Sequence, residues 1–174
     1  DRGADVYSDG PLAVRSSTFS NYERGSLSTA STQATVTNSI FTTNWGSGGS
    51  ACRGPVAFSG GNNIMPNGDT TCPGTQGTQT AFQVLSALDT TGAVPVFPLN
   101  PSAGNPAMQR GADCPAEDAL GRTRPAQGCD LGSAETEGGT SLTLETVPDA
   151  AQFGRVALRA TVTSVSGAVP TGEV

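Results

Sequence analysis

Two stretches of the chain align without a gap at a spacing of 22 residues, residues 12–20 over residues 34–42. Apolar and small polar positions coincide in this alignment: Val14 with Val36, Ser17 with Ser39, and Phe19 with Phe41. A repeat of about 20–25 residues is typical of solenoids, in which one unit cannot bury its apolar face alone and stacked units can. The repeat therefore predicts short strands stacked unit on unit.

A weaker third unit follows. Phe58 lies 22 residues after Val36, and Ile64 lies 23 residues after Phe41, as one inserted residue would allow. The repeat then predicts two internal apolar ladders, Val14–Val36–Phe58 and Phe19–Phe41–Ile64. Small polar residues such as Asn38 suit a bend between two strands, where their side chains satisfy backbone groups. The alternative is that the first two units are unrelated strands of similar sequence.

These segments, together with later ones, resemble bacterial right-handed parallel β-helix proteins of the choice-of-anchor Q type. The matching stretches are residues 3–10 (GADVYSDG), 36–41 (VTNSIF), 60–64 (GGNNI), 105–111 (NPAMQRG), 114–115 (CP), 118–125 (DALGRTRP) and 129–135 (CDLGSAE). Gln109 stands where the family has Asp, and Ala119-Leu120 where it has Gln-Arg, so no ligand role is carried over to those positions. The resemblance covers residues 1–135. It implies a parallel β-helix with a C-terminal cap, secreted or anchored at the surface, with a defined activity seldom attached.

The C-terminal part of the chain differs from what precedes it. Residues 141–174 resemble the opening of a bacterial Ig-like repeat, and apolar residues alternate with polar or small ones along residues 156–163, as in a half-buried strand. An Ig-like sandwich needs about seven strands, so residues 141–174 are expected to form an incomplete module after a linker at 136–140. Such a module packs on the β-helix, pairs with another chain, or belongs to a longer protein.

Four cysteines occur in a chain that has no histidine. This combination favours disulfides over a zinc site or a thiol protease and indicates an extracellular or cell-surface location. Pairing each cysteine with its neighbour, Cys52 with Cys72 and Cys114 with Cys129, is the simplest of three connectivities. Each bond would stabilise the fold by about 3 kcal/mol. The alternative is free, buried thiols.

Acidic and basic residues cluster near the end of the expected β-helix. The acidic residues are Asp113, Asp118, Asp130 and Glu135, and the basic residues are Arg110, Arg122 and Arg124. Bidentate ion pairs within this cluster would stabilise a cap that covers the end of the solenoid. Calcium held by the carboxylates is the lesser alternative, and we expect no cofactor.

Catalysis is not expected from this sequence. The usual general base is absent, and Asp5, Asp9 and Glu23 do not recur at the spacing that would stack them on one face of a solenoid. A polysaccharide lyase or glycosidase is therefore the lesser reading. Trp45, between Asn44 and Gly46, could stack on a sugar ring, although a lone tryptophan among glycines more often covers a surface.

The net charge of −6 disfavours nucleic acid as a partner, and no apolar run reaches the roughly 20 residues of a membrane span. The sequence thus predicts a non-enzymatic structural or adhesive component of a secreted or surface-displayed bacterial stalk or fibre. We expect it to self-associate by strand addition into an oligomer or homopolymer, because the coil near Asp1 is uncapped and residues 141–174 present unpaired strands. The alternative function is a carbohydrate-binding or polysaccharide-processing β-helix protein.

Overall fold

The computed structural model describes residues 5–20, 25–42, 50–66, 68–76, 84–101, 104–125, 127–136, 140–148 and 156–164. For residues 75–76, 140–148 and 156–164 it describes the backbone alone. Trp45, for which sugar stacking was the lesser alternative, and the acidic residue Glu23 lie outside the described residues.

Short strands dominate residues 5–76, because β-branched, aromatic and small polar residues alternate there between bends. The strands are β1 (Val6–Ser8), β2 (Leu12–Arg15), β3 (Thr18–Ser20), β4 (Leu27–Thr29), β5 (Ala34–Thr37), β6 (Ile40–Thr42), β7 (Cys52–Arg53), β8 (Ser59–Gly61), β9 (Ile64–Met65) and β10 (Thr75–Gln76). Three consecutive strands make one layer, so that β1–β3, β4–β6 and β7–β9 are the first, second and third layers. We call the three layers together the stack.

Equivalent strands of successive layers pair in parallel and build three sheets. The sheet orders are β1-β4-β7, β2-β5-β8 and β3-β6-β9-β10. Between the first two layers, Val14 pairs with Val36 and Phe19 pairs with Phe41, which confirms the spacing of 22 residues in these two sheets. Residues 5–76 are therefore rich in β-strands, and their three sheets are parallel.

The predicted register of the third layer is wrong. Val36 pairs with Gly60 rather than aligning with Phe58, and Ile64 pairs with Ile40 rather than with Phe41. The spacing between these strands of the second and third layers is thus 24 residues. Gly60 adopts a φ of 114°, and a Cβ there would collide with the carbonyl oxygen of Val36, so this strand position requires glycine.

The interior of the stack lies between the three sheets. Its buried residues come from all three sheets and from the loops that join them: Leu27, Ala34, Val36, Phe41, Ala51, Cys52, Phe58, Met65 and Cys72. Phe19 and Phe41 stack on each other with ring centroids 5.0 Å apart and an interplanar angle of 5°. Phe58 is buried in this core, as predicted, although it occupies a different register position.

Polar residues line the bend between the second and third strands of each layer. Ser16, Asn38 and Asn62 occupy equivalent positions, and all three have left-handed backbone with φ between 43° and 55°. The amide of Ser17 donates to Ser39 Oγ at 3.2 Å, and the amide of Ser39 donates to Asn63 Oδ1 at 2.8 Å. These side chains satisfy backbone donors of neighbouring layers, so the bends stack as the strands do.

Residues 84–135, called the flanking segment, cover the outer face of the third sheet. Ile40 and Ile64 point away from the interior because their neighbours Phe41 and Met65 point into it. They pack in a second buried cluster with residues of the flanking segment: Val84, Leu85, Leu99, Ala107 and Leu131. The sequence led us to expect a cap over the end of the stack, and these contacts place the segment along its flank instead.

The strands of the flanking segment and of the C-terminal part are antiparallel. In the former, β11 (Gly111–Ala112) pairs with β12 (Gln127–Cys129); in the latter, β13 (Thr140–Pro148) pairs with β14 (Val156–Ser164) over nine residues. The expectation that the tail presents unpaired strands is therefore wrong, since β13 and β14 pair with each other. Contacts divide the chain into two compact units, residues 1–135 and 136–174. The inward or outward direction predicted for side chains of β14 lies outside what the structure describes.

Candidate functional site

The first layer of the stack is less covered than the second. Val6 is 37% exposed and Leu12, Val14 and Phe19 are half-buried, whereas their pairing partners in the second layer are buried: Leu27, Ala34, Val36 and Phe41. Within the described residues, β1, β2 and β3 are each the last strand of their sheet. We call this surface, with its unpaired strand edges and half-exposed apolar side chains, the open end.

Residues 66 and 68–76, called the closing loop, pack beside β7 and β9 on the opposite side of the third layer, while β8 is the last described strand of its sheet. Its carboxylate Asp69 accepts from the amide of Ala51 at 2.7 Å, and the amide of Cys52 donates to Thr71 Oγ1 at 3.1 Å. The Cys52–Cys72 disulfide ties the loop to β7 across a Cα–Cα distance of 5.2 Å. The interior of the third layer is consequently buried, with Met65 at 0% exposure.

A second disulfide joins Cys129 of β12 to Cys114, two residues after β11, with a Cα–Cα distance of 6.5 Å. Both bonds have the pairing that the sequence predicts. Gly111 lies against this disulfide so closely that a Cβ there would collide with the sulfur of Cys129. The described residues contain no free cysteine, so no thiol among them offers a nucleophile or a soft metal ligand.

Most of the predicted cluster of acidic and basic residues forms a polar network that is buried or half-buried. Asp118 Oδ1 accepts from the amides of Leu120 and Arg122, and its Oδ2 accepts from the amide of Glu135 at 2.8 Å. Arg124 donates to the carbonyl oxygens of Asp130 and Gly132, both at 2.8 Å. Asp118 therefore folds the loop around backbone amides, where the sequence suggested ion pairs.

Arg124 and Glu135 form an ion pair in this network. Arg124 Nη1 lies 3.4 Å from Glu135 Oε2, and the Arg124 side chain is 1% exposed. Burial raises the pKa of Glu135, and the neighbouring carboxylate of Asp130 raises it further, against the lowering effect of Arg124. Protonation of Glu135 therefore favours the folded chain.

The remaining members of the cluster do not join this network. Asp113 and Arg110 are exposed. In the part of the chain that the structure describes, no three His, Cys, Asp or Glu side chains are grouped so that they could hold a metal ion. Calcium binding stays an untested sequence-based alternative.

Two acids of the first layer lie outside any such cluster. Asp5 and Asp9 are both exposed, and Asp9 Oδ1 accepts from the Tyr7 hydroxyl at 2.6 Å.

A cleft of about 320 Å³ lies on the flanking segment, between residues 89–94 and residues 119–122. Val94 and Leu120 give it apolar walls, while Asp89 and Arg122 line it with opposite charges. The amide and the hydroxyl of Thr91 hydrogen-bond to Asp89, and these bonds hold the pKa of its carboxyl below the ordinary value. The cleft thus combines the apolar walls of Val94 and Leu120 with the ionised carboxylate of Asp89.

Sequence reasoning missed three features of these sites. The exposure of Val6 was not anticipated, because its strand is short and half polar. Asp69, two residues before Thr71, carries the signature of an Asx turn, and this signal could have identified it. Asn63 lies 24 residues after Ser39, a spacing that only the structure reveals.

Comparison with known proteins gives no relative: no family model, no curated protein and no solved structure matches this chain. No helix in the described residues is long and apolar enough to cross a membrane.

Proposed function

We propose that this chain is a non-enzymatic structural or adhesive component of a secreted or surface-displayed bacterial stalk or fibre, and that it self-associates by strand addition. We further propose that its stack is a right-handed parallel β-helix of the choice-of-anchor Q type. The single observation that carries the proposal is the open end. An unpaired sheet edge beside half-exposed apolar residues is a template for another strand.

Other features support the same role. The two disulfides fit an oxidising compartment outside the cytosol. The buried carboxylates and Arg124 are engaged with backbone amides and carbonyls, so they act as structural groups. Parallel strands that pair from layer to layer form a repeating unit that suits a stalk.

The test is the molar mass of the intact, oxidised chain, measured by light scattering over a wide range of concentration. Strand addition predicts a mass that rises with concentration to a multiple of the monomer mass. A monomer at every concentration would refute self-association. Because apolar contacts and backbone hydrogen bonds hold the edge, added salt should leave the mass almost unchanged.

Carbohydrate binding is the second candidate, and the cleft on the flanking segment favours it. Apolar walls next to a carboxylate and a guanidinium group suit a sugar ring with its hydroxyls. Binding to a panel of bacterial polysaccharides, compared between the unaltered chain and Val94→Asp, tests this function. Val94 is 47% exposed, so the substitution changes the cleft wall without disturbing a core.

A further inference from the structure

Each wall of the cleft on the flanking segment is held in place by an aspartate. On one wall, Asp89 Oδ1 accepts from the amide of Thr91 at 2.8 Å and from its hydroxyl at 2.7 Å. On the other wall, Asp118 Oδ1 accepts from the amides of Leu120 and Arg122 at 2.8 and 2.9 Å. Because Thr91, Leu120 and Arg122 all line the cleft, its walls are organised before a ligand arrives.

The two walls carry opposite charges. The hydrogen bonds from Thr91 hold the pKa of the Asp89 carboxyl below its ordinary value, so this group is ionised at neutral pH. Both bonds end on Oδ1, and no donor among the described residues reaches Oδ2. Arg122 is always positively charged, and it lies near enough to lower the pKa of Asp89 further. The cleft therefore has a negative wall and a positive wall.

Apolar groups line the same cleft. Val94 is 47% exposed and Leu120 is half-buried, so both offer accessible apolar surface. The volume of about 320 Å³ is near the lower end of the range of about 300–1,000 Å³ for small-molecule sites. The cleft thus suits a small unit, such as one sugar ring with its substituents.

The charges of the walls determine which sugar is bound best. A sugar with a single charge is attracted by one wall and repelled by the other. A neutral sugar makes ordinary hydrogen bonds, which are about half as strong as those that involve an ionised group. A sugar that carries an amino group and a carboxylate meets an opposite charge on each wall.

We propose that the cleft binds a saccharide unit that carries both a protonated amino group and a carboxylate, with the amino group at Asp89 and the carboxylate at Arg122. The apolar side of the unit contacts Val94 and Leu120. This inference deepens the second candidate function, carbohydrate binding at this cleft, and rests on it, since it names the class of sugar. Because the recognition is electrostatic at a partly exposed site, added salt should weaken it.

The experiment uses four monosaccharide probes that separate the two charges. N-acetylglucosamine carries neither charge, glucosamine carries the amino group, N-acetylmuramic acid carries the carboxylate, and muramic acid carries both. Each probe is titrated into the intact, oxidised, isotope-labelled chain at low salt and slightly acidic pH, where the amino groups are protonated. The amide signals of Thr91 and Leu120 in nuclear magnetic resonance spectra report binding at the cleft.

Muramic acid should bind about two- to fivefold more tightly than either singly charged probe, which is the effect of one exposed ion pair. Asp89→Asn keeps the oxygen that accepts from Thr91 and removes the charge. It should weaken the binding of muramic acid by the same factor and strengthen that of N-acetylmuramic acid. The matched control is Asp113→Asn, at an exposed aspartate outside the cleft, which should change neither affinity.

Equal affinities for the four probes, or affinities left unchanged by Asp89→Asn, would overturn the inference. Carbohydrate binding at the cleft would still stand in both cases. If none of the four probes shifts the cleft signals, the inference fails, and the polysaccharide panel decides the second candidate function on its own.

Discussion

The substitution Phe41→Ala tests the stacking of the layers. Phe41 is 0% exposed and stacks on Phe19, with ring centroids 5.0 Å apart. Removing a buried aromatic side chain costs about 3–5 kcal/mol. Layers above and below Phe41 are held by paired strands, so the cavity should collapse little and the cost should lie in the upper half of that range. Against a typical total of about 5–15 kcal/mol, this is a large loss.

Urea unfolding of the oxidised chain, followed by circular dichroism, measures this loss. With a denaturant slope of about 2 kcal/mol per molar, the transition midpoint should fall by about 2 M. Phe19→Ala is the matched control, because Phe19 lies half-buried in the first layer and should cost less. The double variant should show a coupling of about 0.5–1.5 kcal/mol from the lost ring contact. A change in Phe41→Ala within about 0.5 kcal/mol would refute the register.

Three further predictions concern the flanking segment and the disulfides. Gly132→Ala should lower the free energy of unfolding by about 1–3 kcal/mol, measured by urea unfolding. Gly132 has a φ of 89°, and a Cβ there would lie 2.6 Å from Thr18 Oγ1. An unchanged transition midpoint would contradict the packing of this segment on β3. The pKa of Glu135 is raised in the folded chain, so this carboxyl binds protons more tightly in the folded than in the unfolded chain. The stability of the unaltered chain relative to Glu135→Gln should therefore fall as the pH rises above 4.5. Parallel pH profiles of stability for the two chains would disprove this prediction. Non-reducing peptide mapping should recover the two predicted disulfides, and any bridge between the two pairs of cysteines would contradict the structure.

The first two layers could be predicted because their apolar residues repeat in identical positions. Val14 over Val36 and Phe19 over Phe41 are side chains that bury area in the same interior, so the repeat is visible in the sequence. The third layer breaks this signal. Gly60 pairs with Val36, and its φ of 114° requires glycine. A glycine has no apolar side chain, so the repeat of apolar residues is not visible at this position. The sequence alignment therefore matched Val36 with Phe58, two residues before its true partner Gly60.

The sheet formed by β1, β4 and β7 had no counterpart in the sequence analysis. Its strands contain two or three residues each and mix apolar with polar side chains, so no periodicity emerges. The disulfides and the strand character of residues 156–163 were predictable, because both depend on local spacing.

The position of the flanking segment was not predictable, since it depends on contacts between residues far apart in the chain. Ser133 and Thr18 are 115 residues apart yet hydrogen-bond at 3.0 Å. The sequence analysis placed Ile64 in an internal ladder with Phe41, which is wrong, because Ile64 packs with Ile40 against the flanking segment. Only the alternation around Phe41 shows that Ile40 faces outward, toward the flanking segment.

Association through the open end is tested most directly by amide hydrogen exchange of the oxidised chain, measured at low and high protein concentration and resolved to short peptides. The N–H groups of Ala13 and Arg15 face the free edge, so they should exchange fast in dilute solution and become protected as the concentration rises. Amides of β7 to β9, in the closed third layer, should exchange equally at both concentrations. Protection that rises in the third layer, or that stays unchanged in β2, would contradict association through the open end.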